Sequence, residues 1–225
     1  NDFAVIIIGR TAGESKDNCD TNGSYKLSDE EKELIKNVSS AFQKTVVVLN
    51  VGNIIDLSFM DENRISALLY VWQGGQEGAN ALADILSGKI SPSGKLPDTQ
   101  VYNISDYQSL DDFGDENTLV YKEDIYVGYR YFETFAPQSV RYPFGYGITY
   151  TDFEIGCKAT VSDDDITVTA TVKNIGNFTA KEVVQVYVSK PCGRLGNPAK
   201  ELVAFGKTKV LAPDESETLE ICVPV

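Results

Sequence analysis

Histidine is missing from all 225 residues of this chain. Its absence excludes a Ser-His-Asp triad, a Cys-His dyad and any histidine-ligated metal built from this chain alone. Acid–base chemistry then falls to carboxylates, Lys, Tyr or Cys. Cysteine is scarce as well. Cys19, Cys157, Cys192 and Cys222 show neither close pairing nor metal-ligand spacing, and they read as buried or incidental thiols. No metal or cofactor is expected. No apolar run approaches the roughly 20 residues that cross a bilayer. Positive charge is the minority sign: Lys and Arg number 20 against 33 Asp and Glu, a formal net charge of −13. Such a surface repels phosphate backbones and anionic lipid, so neither nucleic acid nor a membrane is an expected partner. A neutral ligand such as a sugar fits better.

What is present is ordinary for a soluble globular chain, with 42% hydrophobic and 24% charged residues and room for one large domain or two average ones. Asn1-Asp2 leads straight into an apolar run without Met or a leader, and the other end stops at Cys222-Val-Pro-Val225. The expectation is a fragment.

Phe3 to Ile8 is a continuous β-branched run, as expected of a parallel strand covered on both faces. After the polar, Gly-bearing stretch 9–26, Ser28-Asp-Glu-Glu31 spells a capping box, in which hydroxyl and carboxylate satisfy free N–H groups of a first helical turn. Leu34, Ile35, Val38, Ala41 and Phe42 then share one helical face. Thr45 to Leu49 reads as a second buried strand, and Ile65 to Trp72 as a third. Gln73-Gly-Gly-Gln-Glu-Gly78 is a turn, and Ala79 to Leu86 a short helix. This alternation predicts a doubly wound α/β sheet. Asp98 to Thr118 is polar and aperiodic, predicting a long surface loop. After Thr151 the period becomes 2: Ile166, Val168, Ala170 and Val172 alternate with Thr167, Thr169 and Thr171. Val184, Val186 and Val188, then Leu219, Ile221 and Val223, repeat the alternation. Short antiparallel strands of this kind suggest an immunoglobulin-like sandwich. Only about 75 residues remain for it against the ~100 typical, so closing strands are expected beyond Val225.

Ligands on open α/β sheets bind beyond the carboxyl ends of the strands. Three loops qualify: 9–26, 50–56 and 73–78. The first contains Gly9-Arg-Thr-Ala-Gly-Glu14. A carboxylate on a short glycine-bearing loop after a buried strand is anchored yet able to project, as general-acid catalysis requires. Taken alone this signal is weak, and Glu14 reads first as a solvated loop acid. Gly74 to Gly78 lacks a Walker Lys and the Gly-x-Gly-x-x-Gly spacing, so it is not read as a phosphate cradle; Glu77 instead suits a helix N-terminus. Trp72 and the aromatics Tyr121, Tyr126, Tyr129, Tyr131 and Phe132 have the chemistry to stack on sugar rings or to pack a core.

The order of several motifs resembles glycoside hydrolase family 3, specifically its second α/β domain and the fibronectin-type module appended to it. The stretches are Ile7-Ile-Gly-Arg-Thr-Ala-Gly-Glu14, Trp72-Gln-Gly-Gly-Gln-Glu-Gly78, Ser91-Pro-Ser-Gly-Lys-Leu-Pro97, Val127-Gly-Tyr-Arg-Tyr131 and Tyr142-Pro-Phe-Gly-Tyr-Gly-Ile-Thr-Tyr150. Lys173-Asn-Ile-Gly-Asn177, Glu182-Val-Val-Gln-Val-Tyr-Val188, Lys200-Glu-Leu-Val-Ala-Phe205 and Leu211-Ala-Pro213 continue the likeness. The resemblance implies an open α/β/α sandwich over 1–135, a connector over 136–150 and a partial fibronectin III-like β-sandwich over 151–225.

It further implies a retaining, exo-acting β-glycosidase, a β-glucosidase above all, acting by double displacement. Glu14 maps onto the family's general acid/base, while Arg10 and Trp72 are candidate substrate contacts. The nucleophilic Asp belongs to a (β/α)8 barrel that nothing in this chain resembles, so the fragment alone is expected to be inactive. Arg10 is expected to point to the interface or to a carboxylate partner, because a cation beside Glu14 would lower its pKa. The substrate implied is a β-linked oligosaccharide or an aryl or alkyl glycoside. The parent is a bacterial-type soluble enzyme, cytoplasmic or secreted. A β-xylosidase of the same family and a non-catalytic carbohydrate-binding or scaffold module are the alternatives. Appreciable glycan affinity of the isolated chain would favour the latter. The N-acetylglucosaminidase branch, which takes its acid/base from the barrel, is disfavoured by the presence of this domain.

Overall fold

The structure is a computed structural model, and it describes residues 2–11, 18–110, 117–191, 193–194 and 196–224. The chain divides into two compact units, Asn1–Ala83 with Tyr102–Tyr107, and Asp84–Val101 with Gln108–Val225.

The first unit is built on three parallel strands, β1 (Phe3–Gly9), β2 (Lys44–Asn50) and β3 (Ala67–Tyr70), which lie side by side in that order. Helix α1 (Asp29–Ala41) connects β1 to β2, and the single turn α2 (Phe59–Glu62) precedes β3. The capping box forms as the sequence predicts. Ser28 Oγ accepts the Glu31 N–H at 3.2 Å, and the Glu31 carboxylate accepts the Ser28 N–H at 2.8 Å. The buried stripe of α1 differs from expectation. Ile35 and Ser39 are buried whereas Leu34 is 46% exposed and Ala41 is also exposed, so the face that packs is rotated by a fraction of a turn. A serine can occupy that stripe because its hydroxyl returns to the Lys36 carbonyl, 3.3 Å away.

Strand β2 is buried on both faces, from Thr45 to Leu49. Strand β1 is not, which corrects the expectation of a doubly covered strand. Ile6 and Ile8 are buried, but Phe3, Val5 and Ile7 are 51%, 39% and 60% exposed. The three exposed side chains alternate with Ile6 and Ile8 and so share one face of the strand, which is left uncovered among the described residues. Helix α3 (Gly78–Leu86) follows the glycine-rich turn after β3.

Within the second unit, part of the stretch that sequence reasoning takes for a surface loop is ordered and buried. Thr99, Gln100 and Val101 are buried there, and β4 (Gln100–Val101) pairs antiparallel with β5 (Val140–Tyr142). Two residues are too few to show a period, so the strand has no sequence signal. Helix α4 (Tyr129–Phe135) buries Phe132. The glycine turns before β4 and after β5 interlock with one another. Leu96 and Tyr146, and Gly145 and Leu96, are joined by backbone hydrogen bonds of 2.7 and 2.8 Å. A Cβ on Gly147 would meet the Gly94 carbonyl oxygen at 2.4 Å. Lys95 bonds the Gly147 carbonyl at 2.8 Å and pairs with Glu182 at 2.7 Å.

The remainder is an antiparallel sandwich. Strands β6 (Phe153–Val161), β7 (Asp165–Asn174) and β10 (Ser216–Pro224) form one sheet, with β7 central. Strands β8 (Val183–Val188) and β9 (Glu201–Lys207) form the other. Ala170, Val172, Val184, Leu211 and Ile221 make its core; all but Leu211, which lies between β9 and β10, come from the apolar positions of the period-2 pattern. Cys19, Cys157 and Cys222 are exposed free thiols, so for these three the reading as buried residues does not hold; Cys192 lies outside the described residues.

Candidate active site

Because β1, β2 and β3 are parallel, their carboxyl ends share one edge of the sheet, and the loops leaving them gather there. Arg10 is the first residue past β1. Its N–H donates to the Asn50 carbonyl at the end of β2 (3.0 Å), and its own carbonyl accepts Gln73 Nε2 from the loop after β3 (3.1 Å). All three strand ends are thereby cross-linked at one residue. The Arg10 guanidinium meets both carboxylate oxygens of Glu31 in a fork-to-fork pair and also touches the Gly9 carbonyl.

The two side chains are only 18% and 21% exposed. Burial alone would push the Glu31 carboxyl up, but the hydrogen bonds from Arg10 and the Ser28 N–H, with the Arg10 charge, hold it below the usual range. The same bond to Glu31 holds the Arg10 guanidinium up against the cost of its burial. Arg10 therefore meets a carboxylate partner, in a chain where a contact with substrate was also foreseen for it.

Glu14, the predicted acid/base, lies outside the described residues. Beyond it in sequence, the Asn18 side-chain amide donates to the Ile54 carbonyl of the loop after β2. Tyr25 follows, 4% exposed, with its carbonyl accepting the Asp56 N–H at 2.8 Å. Burial, reinforced by Asp56, Asp20 and Asp106, pushes its phenol up to about 12, so it stays protonated at any working pH.

Trp72, two residues past the end of β3, has a φ of 52°. That left-handed backbone costs a large aromatic residue about 1–3 kcal/mol, and such outliers persist where the surroundings impose them. Here Val71 N–H is bonded to the Leu49 carbonyl (2.9 Å), and the Trp72 ring lies against Tyr70 with centroids 4.4 Å apart. Tyr70 is itself held, its hydroxyl donating to the Asn53 carbonyl (2.9 Å) and accepting the Ile55 N–H (3.1 Å). Gly74 is required by space, since a Cβ there would sit 2.8 Å from the Gly78 Cα.

The structure thus brings Arg10 and Trp72 onto adjacent loops, bridged by Gln73 to Arg10. Sequence reasoning missed Glu31, Gln73 and Tyr70. Glu31 is visible only as a capping residue, and its second role spans 21 positions and depends on tertiary geometry. A cleft of about 580 Å³ lies elsewhere, between β9 and β10, lined by Ala204, Gly206, Leu219, Ile221 and Cys222. It contains none of the strand-end residues and only one titratable group besides Lys207 and Cys222, namely Glu220, so we place no chemistry there. Among the described residues no helix is long and apolar enough to cross a membrane, and no cluster has the makings of a metal site.

The class these features define is an α/β layer with a strand-end loop cluster, continued in the same chain by an antiparallel sandwich. Residues 1–150 match the glycosyl hydrolase family 3 C-terminal domain, and residues 182–225 match a fibronectin type III-like domain. The chain belongs to glycosyl hydrolase family 3. It is 53% identical over 221 residues to a β-glucosidase of Ruminococcus albus, covering 98% of this chain and 23% of that protein. Among solved structures, a β-glucosidase from Paenibacillus barengoltzii superposes with a TM-score of 0.94 at 48% identity, over 99% of this chain and 25% of that one. β-Glucosidase 3B from Thermotoga neapolitana, in complex with glucose, superposes with a TM-score of 0.94 at 42% identity, over 100% of this chain and 32% of that one. The chain spans about a quarter to a third of the length of these relatives. The family expected from the motif order is the family found.

Proposed function

We propose that this chain supplies the general acid/base of a retaining exo-β-glycosidase, with Glu14 as the proton donor and a terminal β-D-glucosyl residue as the group transferred. The observation that supports it most is the 53% identity to a β-glucosidase across 98% of the chain, with Gly13-Glu14 a few positions after the end of β1 in sequence. The described ends of that loop, at Arg10 and Asn18, are both tied to neighbouring strand ends, which suits a rigidly presented acid.

In this reading 1–135 carries the acid/base loop, 136–150 is a connector and 151–225 is the sandwich. A barrel domain of the same enzyme supplies an Asp nucleophile. That Asp attacks the anomeric carbon while Glu14 gives its proton to the departing oxygen. Glu14 then takes a proton from water as water displaces the enzyme carboxylate and releases the sugar with retained configuration. The two carboxyl groups would stand about 5–5.5 Å apart. Trp72, held in its strained conformation beside the same loops, is the aromatic surface for a sugar ring. The substrate is a β-linked oligosaccharide or an aryl or alkyl glycoside, and no cofactor takes part.

The test is Glu14→Gln in the full-length enzyme, with kcat/KM measured on β-glucosides of graded leaving-group acidity. A dinitrophenyl glucoside, which leaves without protonation, should react at close to the wild-type rate. Phenyl and alkyl glucosides should lose about 10²–10⁴-fold, the contribution typical of a positioned proton donor. Equal loss across the series would remove Glu14 from this role.

A further inference from the structure

Seven residues, 11–17, separate two points that the structure ties down, Arg10 and Asn18. On the near side Arg10 is held three ways: by its N–H to Asn50, by its carbonyl to Gln73 and by its guanidinium to Glu31. On the far side Asn18 is bonded to the Ile54 carbonyl, and the Cys19 N–H to Ser24 Oγ at 2.9 Å. Of these ties, the Arg10–Glu31 pair alone is ionic, and it is largely shielded from water.

Glu31 is well suited to act as the fixed partner. It is the third residue of α1, its carboxylate accepts the Ser28 N–H, and its backbone N–H is bonded to Ser28 Oγ. The capping box therefore immobilises the carboxylate from one side while Arg10 grips it from the other. A planar guanidinium on a fixed carboxylate defines orientation as well as distance, which a flexible ammonium cannot reproduce.

We propose that Arg10 and Glu31 are positioning residues for the acid/base loop: the capped end of α1, through Glu31, fixes the direction in which the chain leaves β1 and so where the proton donor stands. The inference rests on the reading of Glu14 as that donor. Neither residue touches substrate in this account. Glu14 lies only four positions along the chain from Arg10, and a displacement of about 1 Å at the reacting groups can cost on the order of 100-fold in rate.

The experiment compares kcat/KM for dinitrophenyl and phenyl β-glucosides in the full-length enzyme carrying Arg10→Met, Arg10→Lys or Glu31→Gln, with Glu14→Gln alongside. Glu31→Gln is informative because Gln still satisfies a capping box, so α1 keeps its start while the ionic grip is lost. The expected result is a loss of about 10-fold or more on the phenyl glucoside for Arg10→Met and Glu31→Gln, under about 3-fold on the dinitrophenyl glucoside, and partial recovery in Arg10→Lys. A merely structural role would depress both substrates alike, and that outcome overturns the proposal, as does an unchanged phenyl rate. Should Glu14→Gln be leaving-group sensitive while the Arg10 and Glu31 variants are not, the clamp fails and the acid/base reading stands. Should Glu14→Gln itself show no such sensitivity, both fall. If Arg10→Met does not fold, Arg10→Lys and Glu31→Gln carry the same comparison.

Discussion

Glu31 has one carboxylate and three donors, and its protonation couples the start of α1 to the exit from β1. Despite burial, the bonds from Arg10 and the Ser28 N–H hold its folded pKa below that of a free glutamate, so its ionised form is favoured by folding. The stabilisation it provides is therefore complete above that value and is lost as pH falls through the lower, folded pKa. Glu31→Gln should cost about 2 kcal/mol at neutral pH, as expected for a charge-assisted bond in a partly shielded site. The gap between wild type and variant should narrow steadily as the pH of the denaturation experiment is lowered from about 5 to 3. A gap independent of pH would mean that the carboxylate charge contributes nothing to the fold. Ser28 and Glu31 are legible in the sequence as a cap because capping is a local rule with a fixed spacing. Arg10 with Glu31 is not, because that pairing is set by how α1 is laid beside β1.

At the scale of elements, Asn174 shows how a turn motif becomes a structural joint. It is fully buried at the end of β7, and every polar valence of its side-chain amide is used. Oδ1 accepts from Thr151 Oγ1 (2.8 Å) and the Gly176 N–H (3.1 Å), while Nδ2 donates to the carbonyls of Phe178 (2.7 Å) and Leu211 (3.0 Å). The neighbouring Gly176 has no room for a side chain, since a Cβ would meet Thr151 Oγ1 at 2.3 Å. Asn174→Ala should destabilise the sandwich by about 2–4 kcal/mol, because several buried partners lose their bonds at once. Chemical denaturation followed by a probe in the sandwich checks it; a change under about 0.5 kcal/mol would show that water replaces the amide freely.

The strands with a clear period, β2, β7, β8 and β10, are where the sequence places them, because an apolar run or strict alternation survives any context. Less was visible where context decides. The β4–β5 pair is too short for a period, and α4 forms inside an aromatic stretch whose spacing favours no single face. The α1 stripe includes Ser39, which tolerates burial because its hydroxyl donates to the Lys36 carbonyl, a local bond that the apolar pattern does not reveal. Of the candidate site, the sequence marks the loops and Trp72. The left-handed backbone of Trp72, its stacking on Tyr70 and the Gln73 bridge arise only once three strand ends stand together.

For the molecule as a whole, the account assigns half of a catalytic pair to this chain and the other half to a barrel that the chain does not contain. The charge balance agrees with a neutral substrate, since a net charge of −13 offers nothing to a polyanion. Without its proton donor, a retaining glycosidase still forms a glycosyl–enzyme intermediate from an activated substrate, but it lacks the base that makes water attack. An anionic nucleophile needs no such base. The decisive measurement is turnover of dinitrophenyl β-glucoside by full-length Glu14→Ala in the presence of azide, with the product's anomeric configuration read by NMR. The account predicts rescue of the slow second step and a β-glucosyl azide as product. Hydrolysis that is undiminished without azide, or azide that neither accelerates turnover nor appears in the product, would contradict it.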